Sequence, residues 1–492
     1  MALDKVQKTE ALIDKLKNIA RNAVKRKNYE KALAALSACA SVLYAYNQRY
    51  TDDELEDMLL QIGCETVTIS PSFIPATQKE VQTVLFYDGF GLDTRGLAIT
   101  QTVPIVKNGY KLVYVTDAKA KNRQPHLKQE LDGYDVEFEY IDFRKGNTHA
   151  ITELNEIFQK HNPEAAYFYS TPWDVAGTVV FNRYVGLVTR FLLDLTDHAF
   201  WVGVNAFDYI TNSRAMGAYI EHVHRKIPME KMIRTRGYLY INEKIEMTPL
   251  PFDTQRYRYV FSGGSLYKTH GDPDNYFYKG IEHILTSFDD VNYVYVGEGD
   301  TSKLEGLMQK YPNRVYYFHE RGDFYKLIQG AVFYLNTYPM FGGLMMRYAA
   351  NAKKIPLTLR HNNDSDGLLP EQGKLGIEFE TYEEWIGEMD KLLSDEEYRK
   401  RKESVLATTV FSQKQAIELR KRILETHTSG IELTFEEFDT TKFRQEYIDR
   451  LDYRTVRNSA IARKQNICLI SHFPHVFADE LKCKLTKKIK AY

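Results

Sequence analysis

Three stretches of the chain combine residue types and spacings that can do chemistry. The first is Asp194-Leu195-Thr196-Asp197-His198-Ala199-Phe200-Trp201-Val202-Gly203, a carboxylate and an imidazole at a strand end with two aromatics behind them. An imidazole can take a hydroxyl proton near neutral pH, and an indole offers a flat apolar face to a pyranose. His198 is the best catalytic or sugar-contacting candidate, with Asp197 as its partner and Trp201 as lining. A hydrogen-bonded buried histidine beside a core tryptophan fits the same letters. Neighbours on a strand point to opposite faces, so Asp197 orients His198 only if the chain curls back. In the second stretch, Leu335 to Ala350, a strand leads through Gly342-Gly343 into a helix. Glycines let a backbone approach a ligand, and a helix start offers free N–H groups and a positive dipole end, which suits a diphosphate. The third, Tyr87 to Leu97, has a strand end, a glycine-rich turn and a helix start, with Asp93 either chemically active or a helix N-cap. It is not GxGxxG and has no acid at ribose-binding spacing, so a nicotinamide site is not supported.

The elements that must position these residues alternate strand and helix. Strand-like runs are Thr83–Tyr87, Lys111–Thr116, Val136–Ile141, Ala165–Tyr169 and Phe191–Leu195. A second series follows at Tyr259–Ser262, Val291–Val296, Val315–Phe318, Ala331–Leu335 and Lys354–Leu359. This predicts an α/β protein with two parallel-sheet domains, 76–250 and 251–430, facing across a cleft, with ligands beyond the carboxyl ends of the strands. Residues 1–75 read as a helical hairpin and linker, resembling one tetratricopeptide unit. Residues 431–492 read as a helical extension with a basic tail.

The 492 residues, 43% hydrophobic and 27% charged, exclude a disordered chain. A net charge of −1 argues against nucleic acid as the main partner. Cys39, Cys64, Cys468 and Cys483 are scattered, without metal-ligand spacing, which suggests a reducing compartment. With no signal peptide and no apolar run of about 18 residues, a cytoplasmic protein is expected. The stretch from Lys482 to Lys490 carries five lysines and no acid. It fits peripheral contact with an anionic membrane, or a solvated helix. The 35 tyrosines fit either ring stacking or a tyrosine-rich core.

The order of loops in the second domain adds a resemblance. Ser262-Gly263-Gly264-Ser265, Lys268, Lys279-Gly280, Val296-Gly297-Glu298-Gly299, Arg314–Phe318 and Asp366-Gly367-Leu368-Leu369-Pro370 resemble the donor-binding domain of GT-B glycosyltransferases, in the group around retaining hexosyl- and glucosaminyltransferases. Leu335–Pro339 with Gly342-Gly343 also resembles the O-GlcNAc-transferase type. The glycine-rich loop after Tyr87 resembles that of bacterial surface-polysaccharide glycosyltransferases. The resemblance implies a GT-B fold of two Rossmann-like domains. It also implies a nucleotide-sugar donor, UDP-linked, and transfer to a hydroxyl of a glycan or lipid-linked glycan in bacterial surface-polysaccharide synthesis. The donor side would comprise Ser262, Gly263, Lys268, Lys279, Gly297, His319, Glu320, Tyr338, Gly342, Gly343 and Leu344. Asp88, Arg95, Gly96 and Trp201 would line the acceptor or sugar, with His198, Asp93 and Asp197 catalytic. No metal or cofactor is expected, since this fold stabilises the leaving group with a helix dipole and basic groups. The glutamate pair of the retaining enzymes is missing, its positions held by Phe341 and Ala349, so stereochemistry stays open. The competing readings are a protein O- or N-glycosyltransferase and a non-catalytic accessory or glycan-binding subunit.

Overall fold

The computed structural model describes residues 2–78, 80–92, 97–242, 244–361, 368–369, 372–437 and 439–489. Its first sheet contains β1 (Thr83–Asp88), β2 (Lys111–Asp117), β3 (Val136–Ile141), β4 (Ala165–Tyr169), β5 (Thr189–Leu193), β6 (Tyr209–Asn212) and β7 (Met232–Arg234). Their order is β3-β2-β1-β4-β5-β6-β7, and every pairing is parallel. The second sheet contains β8 (Arg258–Gly263), β9 (Val291–Val296), β10 (Val315–Phe318), β11 (Tyr334–Leu335), β12 (Pro356–Leu359) and β13 (Glu378–Phe379). It is ordered β10-β9-β8-β11-β12-β13, again all parallel. Strands such as Val291-Asn292-Tyr293-Val294-Tyr295-Val296 are buried along their whole length. Continuous burial is what a parallel sheet covered by helices on both faces requires. In each sheet the strand order reverses beside the first strand, β1 or β8, so each has a crevice above that point.

The ends of the chain are tied into this frame. Helices Ala2–Lys25, Tyr29–Tyr46 and Asp53–Thr66 precede the first sheet. The middle one is buried almost all round, from Ala32 through Leu43. It shares one core with the underside of the first sheet and with Ala460, Ile461, Leu469, Phe473 and Val476 of the C-terminal extension. Helix Gln413–Thr426 returns to the first domain, where Ala416, Leu419, Ile423 and Leu424 pack with Ile99, Val103 and Tyr167 on the other face of the sheet. The chain therefore crosses between domains twice, near residues 235–257 and again near 408–412. No helix among the described residues is long and apolar enough to cross a membrane.

Candidate functional site

On the first domain the site is built where β5 ends. The strand stops at Leu193 rather than running on through Leu195, because the Asp194 carboxylate accepts the Thr196 N–H (2.8 Å) and turns the chain. The loop that follows is clamped from outside. Asn47, the left-handed C-cap of helix Tyr29–Tyr46, donates its amide to the His198 carbonyl (3.0 Å) and accepts the Phe200 N–H (3.1 Å). This curl brings Asp197 and His198 together, with His198 Nδ1 3.4 Å from Asp197 Oδ1 and the ring one-third exposed.

Asp197 is buried and receives both arms of the Arg214 guanidinium, Nε at 2.9 Å and Nη2 on the other oxygen. Burial alone would raise its pKa, but Arg214 and His198 outweigh that and hold the carboxyl well below its usual range. Gly217 makes room for this pair, since a Cβ there would lie 2.2 Å from Asp197 Oδ2. Behind Asp197 lie two further acids, Asp194 and Glu221, both pushed upward by burial. Arg225 threads beneath them, donating to the carbonyls of Tyr50 (2.8 Å) and Ala199 (2.6 Å).

Trp201 does not line this surface. It is 5% exposed, its indole N–H donates to Asp194 Oδ2 (3.1 Å) and Arg225 lies over its ring at 4.6 Å. It holds the acidic cluster from within. Asp88 also faces inward, accepting the N–H groups of Phe90 (2.9 Å) and Gly91 (3.0 Å), the Tyr114 hydroxyl and the Gln124 amide (3.0 Å). Its acceptor capacity is spent on shaping the glycine turn. Asp93, Arg95 and Gly96 lie outside the described residues, as do Asp366, Gly367 and Pro370. The loop after β4 supplies Trp173, which the sequence reading passed over. It is half-buried, edge-on to Tyr44 at 5.5 Å and covered by Arg463 at 4.1 Å. The rule that loops follow strand ends was the available signal for it.

On the second domain the site is built mainly of backbone. Helix Gly343–Asn351 starts at Gly342, whose N–H donates to Asn336 Oδ1 (2.8 Å). Asn336 is fully buried at the end of β11 and also donates to Thr358 (3.0 Å), so it pins the turn that carries the cis Tyr338–Pro339 bond. No acceptor among the described residues takes the N–H groups of Gly343, Leu344 or Met345. Lys268, in the loop after β8, places its ammonium 3.4 Å from the Phe341 carbonyl, and its own carbonyl accepts the Met340 N–H (3.1 Å). Lys268, Gly342, Gly343 and Leu344 are thereby brought together as expected from their order in the sequence.

Other expected donor residues are placed differently. Ser262 is fully buried, with its hydroxyl donating to the Leu335 carbonyl (2.6 Å), so it joins strands rather than meeting a ligand. A Cβ at Gly263 would lie 3.0 Å from Met345 Cε, and one at Gly297 would lie 1.9 Å from the Gly264 carbonyl oxygen. These glycines let the loops after β8 and β9 interlock. Lys279 is exposed over the Tyr276 ring at 5.6 Å. His319 and Glu320 are exposed just after β10. Tyr338 is half-buried, 6.1 Å from Tyr276 and edge-on to His361 at 5.7 Å, and burial pushes its hydroxyl up to about 12.

The two walls approach each other across the cleft. The Arg214 guanidinium lies over the Phe341 ring at 5.7 Å, so the Asp197–His198 pair faces the turn that opens helix Gly343–Asn351.

No protein-family model and no curated protein matches the sequence. Solved structures do. An O-GlcNAc transferase mutant from Thermobaculum terrenum aligns at a TM-score of 0.50 and 15% identity, over 92% of this chain and 83% of that one. A UDP-N-acetylglucosamine 2-epimerase aligns at 0.52 and 13% identity, over 73% of this chain and 99% of its own. A glycosyltransferase from Rickettsia africae ESF-5 aligns at 0.51 and 12% identity, over 71% and 100%. With both sheets parallel and the site lying between them, the chain has the GT-B fold.

Proposed function

We propose that the protein is a glycosyltransferase moving a sugar from a UDP-linked donor to a hydroxyl of a glycan or lipid-linked glycan. The carrying observation is the approach of Arg214 to Phe341, which sets an imidazole–carboxylate pair against a helix start with unclaimed N–H groups. In this reading the Gly343 and Leu344 N–H groups and the Lys268 ammonium receive the charge that develops on the leaving diphosphate. His198, held through Nδ1 by Asp197, accepts the acceptor hydroxyl proton at Nε2. The acceptor oxygen bonds to the anomeric carbon as the bond from that carbon to the diphosphate oxygen breaks. The likeness to a UDP-N-acetylglucosamine enzyme and an O-GlcNAc transferase supports uridine as the base.

A glycan acceptor is favoured over a polypeptide by the N-terminal helices. Helix Tyr29–Tyr46 has both sides consumed by packing, which removes the open groove that would hold an extended peptide. Ile467, Ile470 and Leu481 are exposed on the C-terminal extension near the lysine-rich tail, whose side chains beyond Lys482 lie outside the described part. They support contact with an anionic membrane, tested by cosedimentation with phosphatidylglycerol vesicles. The main reading is tested with a panel of UDP-, GDP- and CMP-sugars, following donor hydrolysis and thermal shift. A response confined to UDP-sugars is expected. Silence across the panel would sink the enzymatic reading and favour an accessory subunit.

A further inference from the structure

Two arginines at the junction of the domains have no carboxylate to answer them among the described residues. Arg236 follows β7 where the chain first leaves the first domain; its Nε is buried without a partner, and it makes no hydrogen bond or ion pair with the described residues. Arg347 lies one turn along helix Gly343–Asn351, its guanidinium donating, among the described residues, to the carbonyl of Gly237 alone. Burial pushes both guanidinium pKa values down, Arg347 to about 10, and Arg236 adds like-charge repulsion to Arg347. Other buried arginines in this chain are answered to differing degrees, Arg420 and Arg463 each by one side-chain oxygen. Arg190 pairs with Asp208 at 2.7 Å and Arg225 reaches several carbonyls. A half-buried arginine pair facing no acid among the described residues is unfavourable unless an anion arrives.

The crevice holding the pair is lined by Arg236, Leu239, Arg347, Leu369, Thr409 and Phe411. Arg236 and Leu239 belong to the first chain crossing between domains, and Thr409 and Phe411 to the second. The same region is braced by Gln413 donating to the Leu239 carbonyl (2.7 Å) and by Tyr348 donating to the Tyr240 carbonyl (2.8 Å). An occupant would touch both crossings and the helix whose first turn faces the cleft.

We propose that Arg236 and Arg347 form an oxyanion site at the hinge, separate from the helix start, that takes a phosphate or carboxylate group. The group is either a free anion or the acidic part of an acceptor. Guanidinium forks match both chemistries. Neutralising the pair removes repulsion at the hinge, so the bound anion favours the domain arrangement in which the two arginines lie side by side.

The test uses the full chain, with inorganic phosphate and UDP as separate probes at constant ionic strength. Phosphate should raise the Tm by about 2 °C at ten times its Kd. Arg236→Met should abolish the phosphate response while leaving the UDP response intact, and Arg236→Lys should restore part of it. Because Arg236 has no partner to lose among the described residues, Arg236→Met should not lower the Tm of the unliganded chain. A free anion as occupant predicts that phosphate changes donor hydrolysis in the wild type but not in Arg236→Met. An acidic acceptor group predicts instead that phosphate competes with the acceptor. No response to phosphate, or an equal response in Arg236→Met, overturns the proposal. Joint loss of the phosphate and UDP responses in Arg236→Met would also overturn it, by making the arginines part of the donor site. Failure of UDP alone, with phosphate binding intact, would count against the glycosyltransferase reading and not against this site.

Discussion

The two walls of the cleft hold charge by opposite means. On the first domain it resides in side chains: three acids, two arginines and a histidine compressed at the ends of β5 and β6, each defined by its neighbours. On the second domain it resides chiefly in backbone N–H groups at a helix start, with one lysine laid across the turn. A side-chain cluster fails when one member is removed, because the others stay buried and unanswered. A backbone site resists side-chain truncation and fails when a side chain intrudes. Asp197→Ala therefore gives the largest expected effect. It strands Arg214 and removes the support of His198, at a cost of about 3–5 kcal/mol. Urea unfolding checks this, and a loss below about 1 kcal/mol would mean that water already screens the pair.

The next comparison is between His198 and Lys268. His198→Ala should lower turnover by about 100- to 10,000-fold, with donor KM nearly unchanged. Lys268→Ala should weaken donor binding by about 10- to 100-fold, the worth of one hydrogen bond to a charged group, with a smaller effect on turnover. Steady-state kinetics with the active donor separates the two. An interchange of these KM and kcat effects would reverse the roles assigned to the two walls.

How far these roles could be read from the sequence depended on the kind of information involved. Strands such as β1, β2 and β9 were legible because burial on both faces leaves an unbroken apolar run. The strand-end rule then located both walls. It did not show which way a side chain points at a strand end. Asp88 and Ser262 sit at the ends of β1 and β8 and Trp201 in the loop after β5, yet all three turn inward, because each is needed as a hydrogen-bonding strut. Asn336 was invisible for the complementary reason: an asparagine at a strand end has no spacing that marks it as the pin of a turn. The tyrosines divide similarly. Tyr87, Tyr114, Tyr167, Tyr293, Tyr295 and Tyr334 are fully buried on strands, so much of the excess is core, while Tyr276 and Tyr338 border the site. That Arg236 and Arg347 come together depends on where two distant segments meet, which no local pattern encodes.

Protonation gives a subtler contrast within the first wall. Glu221 and Asp194 have raised pKa values in the fold, so the native state keeps a proton that the unfolded chain releases above about pH 4. Their contribution is fully present below that pH and is lost as pH rises toward the native values. Asp197 behaves oppositely: its contribution is present above about pH 4 and is lost on acidification. Glu221→Gln should therefore flatten the fall in stability on the alkaline side, where one retained proton is worth up to about 1.4 kcal/mol per pH unit. Urea unfolding at pH 5, 6, 7 and 8 for both proteins gives the slopes. Parallel slopes would mean that the pair is ionised in the native state.

The smallest expected effect separates the two lysines of the second wall. Lys268 is half-buried and tied to the turn before the helix, whereas Lys279 is exposed, with an aromatic ring as its recorded neighbour. An exposed cation over a ring contributes about 0.5–1 kcal/mol, and at a distance its charge is screened by salt within about 10 Å. Lys279→Ala should therefore change donor affinity by less than about threefold, with the residual effect vanishing in 0.5 M salt, where the Lys268→Ala defect persists. UDP titrations of both variants at low and high salt make the comparison. Equal defects at high salt would place Lys279 in direct contact with the donor, and the second wall would then rest on side-chain charge as much as the first.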